Sequence, residues 1–257
     1  MNTLDNIEEN FFAVGRYWGG LNSSLAQAGS IWAMNTGVSI SDFNWAWNEK
    51  SLTDKDAKSI EDIKEIYRQK NLRFWWWVYP CGNSAKTIAM LQTAGMRLIE
   101  QIPCMAADLK IKFLEQKIPD DITISEVTDK ESLSVWADIS FRGFQMPERA
   151  RESYNAFVLS FERAGQSAQK LFLAYLQGEP VATSLLFVQN NTAGIYYVST
   201  LPAWRNKGLG FYVTLAAMQA AKKAGFENVI LQATPAGAKV YRRIGFNEYC
   251  KAQIYKL

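Results

Sequence analysis

The chain has 257 residues, of which 48% are hydrophobic and 21% charged, with a formal net charge of +3. This balance is typical of a globular protein with one large or two medium domains. Because basic and acidic residues are mixed along the sequence, it argues against a broad nucleic-acid-binding surface. The sequence contains no histidine, which excludes Ser-His-Asp and Cys-His hydrolases and most zinc chemistry.

The cysteines and the apolar runs indicate the compartment. Cys81, Cys104 and Cys250 are widely spaced and odd in number, which favours buried structural thiols over a disulfide framework. The first residues are acidic rather than a basic region before an apolar core, so we expect no signal peptide. No apolar run approaches the ~20 residues that span a bilayer. We therefore expect a cytoplasmic protein without a membrane partner.

The N-terminal half predicts an alternation of helices and strands. Residues 53–70 predict a helix in which Ile60, Ile63 and Tyr67 share one face. Residues 73–80 predict a buried strand that ends at a proline. The other predicted elements are a helix at 5–28, strands at 30–34 and 41–47, a helix at 85–95, a strand after Met96 and another strand at 103–109.

Seven of the nine tryptophans lie in this half, including the run Trp75 to Trp77. We interpret them mainly as the core of a small sheet. The alternative is that one or two of them line a cleft. Because side chains alternate along a strand, Trp75 and Trp77 must share one face and Trp76 must take the other.

The middle of the chain predicts a linker at 113–121 and a strand at 122–127. Asp129 or Ser132 is expected to cap a helix, and Pro147 to start a second helix. Strands at 171–176 and 181–188 should form a hairpin through residues 177–180.

A strand, a basic turn and a helix then follow in order. Residues 195–201 are apolar and β-branched, as in a buried strand, and Pro202 ends it. Residues 205–210 form an Arg-x-x-Gly-x-Gly turn, and helical spacing continues to about Gly225. Free amides and the helix dipole at such a turn suit a phosphate or pyrophosphate. The spacing is neither that of a P-loop nor that of a dinucleotide fingerprint, and an ordinary surface turn is the alternative.

The residues downstream favour the anion-binding interpretation. Residues 228–234 predict a second buried strand, 235–237 a loop, 238–246 a short helix and the remainder a final strand. Val-Ser-Thr-Leu-Pro-x-x-Arg-x-x-Gly-Leu-Gly, followed some thirty residues later by Ala-x-x-Tyr-x-x-Ile-Gly-Phe, resembles the GNAT superfamily of acyl-CoA-dependent N-acyltransferases. The match covers the C-terminal half.

The N-terminal half contains a weak repeat of the same order of elements, in which Gly95 aligns with Gly245 and Leu91 with Tyr241. It lacks the Arg-x-x-Gly-x-Gly turn, so it resembles the degenerate half of a tandem GNAT protein. The implied fold class is α/β (an α+β mixed sheet), with two GNAT-like units that each have a central mixed sheet flanked by helices. We expect domains at 1–112 and 120–257, the second of which binds acetyl-CoA.

The resemblance implies roles for particular residues. Tyr241 matches the tyrosine that protonates the departing thiolate as a general acid. The strand matching residues 195–201 splays from its neighbour to pair with the pantetheine arm, and an amide near Leu201 polarises the thioester carbonyl. The implied acetyl-CoA-binding residues are Val198, Ser199, Thr200, Leu201, Arg205, Asn206, Lys207, Gly208, Leu209, Gly210 and Thr234.

The implied reaction moves an acetyl group from acetyl-CoA to a primary amine of a small molecule or peptide, without a metal. Asp138, Glu148 and Glu152 lie on the helices near the expected acceptor, but their orientation is open and we assign no general base. Two alternatives remain, namely a non-enzymatic acyl-CoA-binding or sensing module and a transferase that uses aminoacyl-tRNA on the same fold. The modest net charge disfavours the latter, and an oligomer is possible.

Overall fold

The computed structural model describes residues 2–21, 23–110, 116–163 and 168–257. The chain divides into two compact units, each made of two segments. Unit 1 comprises residues 1–10 and 104–249, and unit 2 comprises residues 11–103 and 250–257. The start of the predicted linker, residues 113–115, lies outside the described residues, and the domain boundaries at 112 and 120 stay a prediction.

Unit 2 is a mixed sheet with helices against it. Strands β1, β2 and β3 pair antiparallel, β3 and β4 pair parallel, and β4 and β11 pair antiparallel. The elements with residues in unit 2 are α1 (Thr3–Leu21), β1 (Leu25–Ala28), β2 (Ile31–Asn35), β3 (Asn44–Asn48), α2 (Ala57–Gln69), β4 (Trp75–Val78), α3 (Ala85–Thr93), β5 (Arg97–Asp108) and β11 (Asn247–Lys256).

The core of unit 2 is aromatic, as the tryptophan content predicts. Trp76 packs with the buried residues of α2 and α3. Trp77 lies on the opposite face, with ring centroids 6.2 Å from Trp75 and 4.9 Å from Phe11. The predicted alternation of the three tryptophans is therefore confirmed.

Unit 1 contains mixed-sheet strands in the order β6-β7-β8-β9-β10-β5. Its pairs are antiparallel except β9 with β10, which is parallel. Its other elements are β6 (Ile122–Glu126), α4 (Lys130–Gly143), α5 (Arg151–Arg163), β7 (Gln169–Leu176), β8 (Glu179–Gln189), β9 (Thr192–Thr200), α6 (Leu209–Lys223), β10 (Asn228–Gln232) and α7 (Pro235–Ile244). Helices α6 and α7 bury their apolar faces in one cluster with the sheet. The predicted mixed α/β class is confirmed.

Local signals explain where several of these elements begin and end. Asp129 caps α4, because its side chain accepts from the Ser132 amide at 2.7 Å. In return, the Ser132 hydroxyl accepts from the Asp129 amide at 3.3 Å. The β7–β8 hairpin turns at Gln177 and Gly178, which both have positive φ, as a type I′ turn requires. Gly245 ends α7 with φ 110°.

Four expected boundaries were wrong. The helix predicted at 5–28 ends at Leu21, and residues 25–28 form β1 because they pair with β2. Residues 41–43 are a 3₁₀ turn rather than strand. The two strands predicted after Met96 and at 103–109 are the single strand β5. Its pairing with β10 begins at Cys104, so the missing amide of Pro103 costs no bond in that ladder.

The last correction concerns α7, which begins at Pro235 rather than at Ala238. The Thr234 side chain accepts from the Gly237 amide at 3.2 Å, and Pro235 occupies the first helical position, where no amide is needed. The segment predicted as a loop is therefore the first turn of the helix.

Candidate functional site

Strand β9 leaves β10 after a short parallel contact. In the described part of the chain, the register between them is the single pair Ile230 opposite Gly194. On its other edge, β9 stays paired with β8 as far as Thr200. The stretch from Ile195 to Thr200 therefore has one paired edge and one open edge, as the predicted splay requires.

The edge that each β9 amide faces follows from the β8 pairing. The Leu201 amide donates to the Val181 carbonyl at 2.9 Å, so it is already used. Because N–H groups alternate between the two edges of a strand, the Thr200 amide points away from β8 and towards the open edge. The resemblance implies a free amide near Leu201, and Thr200 is the residue that best supplies it.

A bulge interrupts β9 in the middle of this stretch. The register with β8 shifts between Thr183 and Leu185, so two residues of β9 oppose Ser184. Tyr197 adopts φ 52° there, a left-handed conformation that is costly for a bulky residue. The Thr183 hydroxyl donates to the Tyr197 carbonyl at 2.9 Å and holds the bulge.

The turn between β9 and α6 presents a row of unpaired amides. Among the described residues, no hydrogen-bond acceptor lies within reach of the amides of residues 206–210. Asn206 has φ 64° and Gly208 φ 80°, so left-handed residues recur in this turn, as they do in anion-binding nests of consecutive amides. The Lys207 ammonium lies 4.6 Å from the Trp204 ring centroid and adds a full charge beside the nest.

Arg205 differs from its neighbours. Its amide bonds weakly to the Pro202 carbonyl at 3.4 Å. Its guanidinium donates to the Thr200 carbonyl at 3.3 Å and to the Gly143 carbonyl, at the end of α4, at 2.8 Å. The side chain predicted to serve the pyrophosphate is therefore a clamp between β9 and α4, and its charge also complements the helix C-terminus.

Replacing Arg205 by alanine should loosen the last turn of α4. We expect about tenfold faster hydrogen exchange at the amides of Phe144 and Met146, because their protection requires that turn to stay closed. Lysine at the same position should restore part of the protection through one donor, and Lys207→Ala should leave exchange unchanged. Unaltered hydrogen exchange in Arg205→Ala would show that the Arg205 hydrogen bonds do not stabilise the last turn of α4.

Tyr241 lies on the buried face of α7, within the core of unit 1. Its ring centroid is 5.8 Å from that of Phe246, and burial raises the pKa of its phenol. The hydroxyl therefore stays protonated through the neutral range. Thr234, also predicted at the donor site, is an exposed helix cap whose hydroxyl accepts from Gly237.

The three carboxylates near the expected acceptor are not poised as bases. Asp138 is 3.0 Å from both Arg142 and Arg151, and Glu148 pairs with Arg151. Glu152 is exposed on α5. Each arrangement is that of a surface carboxylate, and no base is assigned.

Two residues of the candidate site could not be predicted from the sequence. Gly143 ends α4 so close to β9 that an added Cβ would lie 2.5 Å from Ser199 Oγ. Tyr197 is distinguished by its backbone rather than by its residue type. Neither position carries a local sequence signal, since each depends on contacts formed by the folded sheet.

The described ranges contain neither a candidate membrane span nor a candidate metal cluster. No helix there is long and apolar enough to cross a membrane. No group of three or more cysteine, aspartate or glutamate side chains in these ranges could hold a metal ion.

Comparison with known proteins identifies the fold. Residues 132–246 match the model of the acetyltransferase (GNAT) family, whereas no curated protein sequence matches. A GCN5-related N-acetyltransferase from Kribbella flavida has a TM-score of 0.73 at 17% identity, covering 96% of this chain and 94% of its own.

Two further structures agree. A GCN5-related N-acetyltransferase from Sphaerobacter thermophilus has a TM-score of 0.66 at 15% identity, over 89% of this chain and 76% of that one. A tandem GNAT protein from the clavulanic acid biosynthesis pathway has a TM-score of 0.59 at 13% identity, over 82% and 74%. At these identities the structures show a shared fold, and the family match supports acyl transfer in general. Residues 132–246 therefore match the acetyltransferase (GNAT) family, and the whole chain has the GNAT fold.

Proposed function

We propose that this protein is an N-acetyltransferase that moves an acetyl group from acetyl-CoA to a primary amine of a small molecule or peptide. The observation that carries the proposal is the row of unpaired amides at residues 206–210, directly after the open edge of β9. Acetyl-CoA is the usual co-substrate of the family that matches.

The residues present fit this donor. The amides of Asn206 to Gly210 offer consecutive donors to a pyrophosphate, and Gly208 leaves room for a close approach to the backbone. A Cβ on Gly210 would have Thr200 Oγ1 as its nearest neighbour, 3.8 Å away, so the space above the helix start is open. The free edge at Val198 to Thr200 offers backbone partners to the amides of a pantetheine arm.

The chemistry needs one donor for the carbonyl oxygen and one proton for sulfur. The Thr200 amide faces the open edge and would bind the thioester oxygen as charge develops on it. The amine nitrogen forms the new bond to the acetyl carbon, and the carbon–sulfur bond breaks. Tyr241 would donate its phenolic proton to the departing thiolate, while the proton lost by the amine passes to water.

Release of free CoA thiol in the presence of an amine panel tests this proposal. We expect thiol to appear when both acetyl-CoA and a suitable amine are present, with the acetylated amine as the second product. Binding of acetyl-CoA without thiol release across the panel would favour a sensing module. Transfer from aminoacyl-tRNA in place of acetyl-CoA would favour the aminoacyl transferase.

A further inference from the structure

An aromatic wall lies between the end of α4 and the bulge of β9. We define it as Trp136 on α4, Phe144 just after α4, and Tyr197 in the bulge of β9. The Tyr197 ring centroid is 5.3 Å from that of Trp136 and 6.1 Å from that of Phe144. Tyr197 therefore lies between a buried indole and the exposed ring of Phe144.

Two features of the wall favour a binding role. Phe144 leaves 44% of its surface exposed and adjoins the Tyr197 ring, so the two rings form a patch rather than a single exposed side chain. Tyr197 holds a positive φ in the middle of a strand, a strain that persists where surrounding contacts enforce it and that clusters at binding sites. The clamp of Arg205 on Gly143 fixes the residue before Phe144, so the wall is held in place.

The charges around the wall give the second part of the argument. Arg151 bridges Asp138 and Glu148, and Arg142 shares Asp138. Glu179 lines the same cavity as Asp138 and Arg142, so the arginines and carboxylates around Asp138 largely pair with one another. Recognition of a polyamine or a lysine-rich peptide needs surplus negative charge, and these paired groups offer none.

The polar atoms at the base of the wall are already satisfied. The Trp136 indole donates to the Ser184 carbonyl at 3.2 Å, and the Ser199 and Thr183 hydroxyls are 2.8 Å apart. The wall thus offers ring faces rather than free hydrogen-bonding groups. Ring faces bind apolar and aromatic bodies, and they tolerate a single ammonium group.

We infer that the acceptor is a primary amine on an aromatic or branched aliphatic body with no second cationic group, and that Phe144 and Tyr197 set this specificity. The inference rests on the proposed function for its reaction, but the wall's preference for such a body can be measured without any donor. Phe144 is the better position to test, because its exposed ring can be removed without opening a cavity in the core.

The test measures binding of 2-phenylethylamine by saturation-transfer NMR, without any acyl donor. The parallel probe is spermidine, and the variants are Phe144→Ala and the control Tyr249→Ala, which removes an aromatic side chain on β11 that is 52% exposed. We expect 2-phenylethylamine to bind more tightly than spermidine, and about fivefold more weakly to Phe144→Ala than to the control.

Three results would overturn the inference. They are absent binding of 2-phenylethylamine, tighter binding of spermidine, and equal binding of 2-phenylethylamine by Phe144→Ala and Tyr249→Ala. The affinity for acetyl-CoA, measured on the same samples, reports on the proposed function separately. A protein that binds 2-phenylethylamine but not acetyl-CoA would contradict the proposed donor and leave the acceptor surface established.

Discussion

Gly194→Val is expected to lower the free energy of unfolding by about 3 kcal/mol, towards the upper end of the range for overpacked cores. A Cβ at Gly194 would overlap Asn10 Oδ1 and would lie 2.8 Å from Tyr196 Cε2. Asn10 cannot move aside cheaply, because it is fully buried and bonds to the Tyr196 hydroxyl at 2.7 Å and to Thr192 Oγ1 at 3.0 Å. Chemical denaturation followed by circular dichroism measures the change.

Two variants separate this contact from the general effect of replacing glycine. Gly20→Ala in α1 meets no atom within 4 Å, so it should be neutral or slightly stabilising. In an Asn10→Ala background, Gly194→Ala should cost less than in the wild type, since the overlapping oxygen is gone. A Gly194→Val protein as stable as the wild type would show that the approach of Asn10 to β9 is loose.

Tyr241→Phe is expected to lower turnover by about a hundredfold or more while the affinity for acetyl-CoA stays within about twofold. Loss of a positioned general acid costs roughly 10²–10⁴-fold, and the ring that packs against Phe246 is kept. Burial raises the pKa of Tyr241 above that of a free tyrosine. Its acid form therefore persists to at least pH 10, so the wild-type rate should not decline through this group between pH 7 and pH 10.

The matched control is Tyr249→Phe, which removes one exposed hydroxyl from β11 and should leave both parameters unchanged. Steady-state kinetics with a saturating amine, together with donor titration by calorimetry, separate turnover from affinity. Full turnover in Tyr241→Phe would remove the acid role. A loss of donor affinity with turnover preserved would make Tyr241 a packing residue of the donor site.

Much of the local structure around the candidate donor site could be predicted, because its signals are local. Pro202 ends a strand, Gly208 supplies the positive φ of the nest, and the apolar spacing of α6 follows at once. The capping of α4 by Asp129 and the β7–β8 turn were predictable for the same reason. Each depends on residues within a few positions of one another.

The parts that could not be predicted depend on partners far away in sequence. Arg205 looks like a phosphate ligand in the motif, yet its guanidinium bonds to Gly143, 62 residues earlier. Asn10 is an ordinary helix residue until it meets Thr192, 182 residues later. The conformation of Tyr197 follows from a bulge that exists only when β8 and β9 pair. Such contacts are properties of the assembled sheet.

The most direct test of the donor site is thermal unfolding of the wild type and Gly208→Trp with and without acetyl-CoA. Ligand at about one hundred times its dissociation constant should stabilise the wild type by roughly 2.7 kcal/mol, a shift of several degrees. Gly208→Trp should unfold cooperatively without any shift, because the indole would cover the nest. A shift preserved in Gly208→Trp, or absent from the wild type, would contradict the placement of acetyl-CoA at residues 206–210.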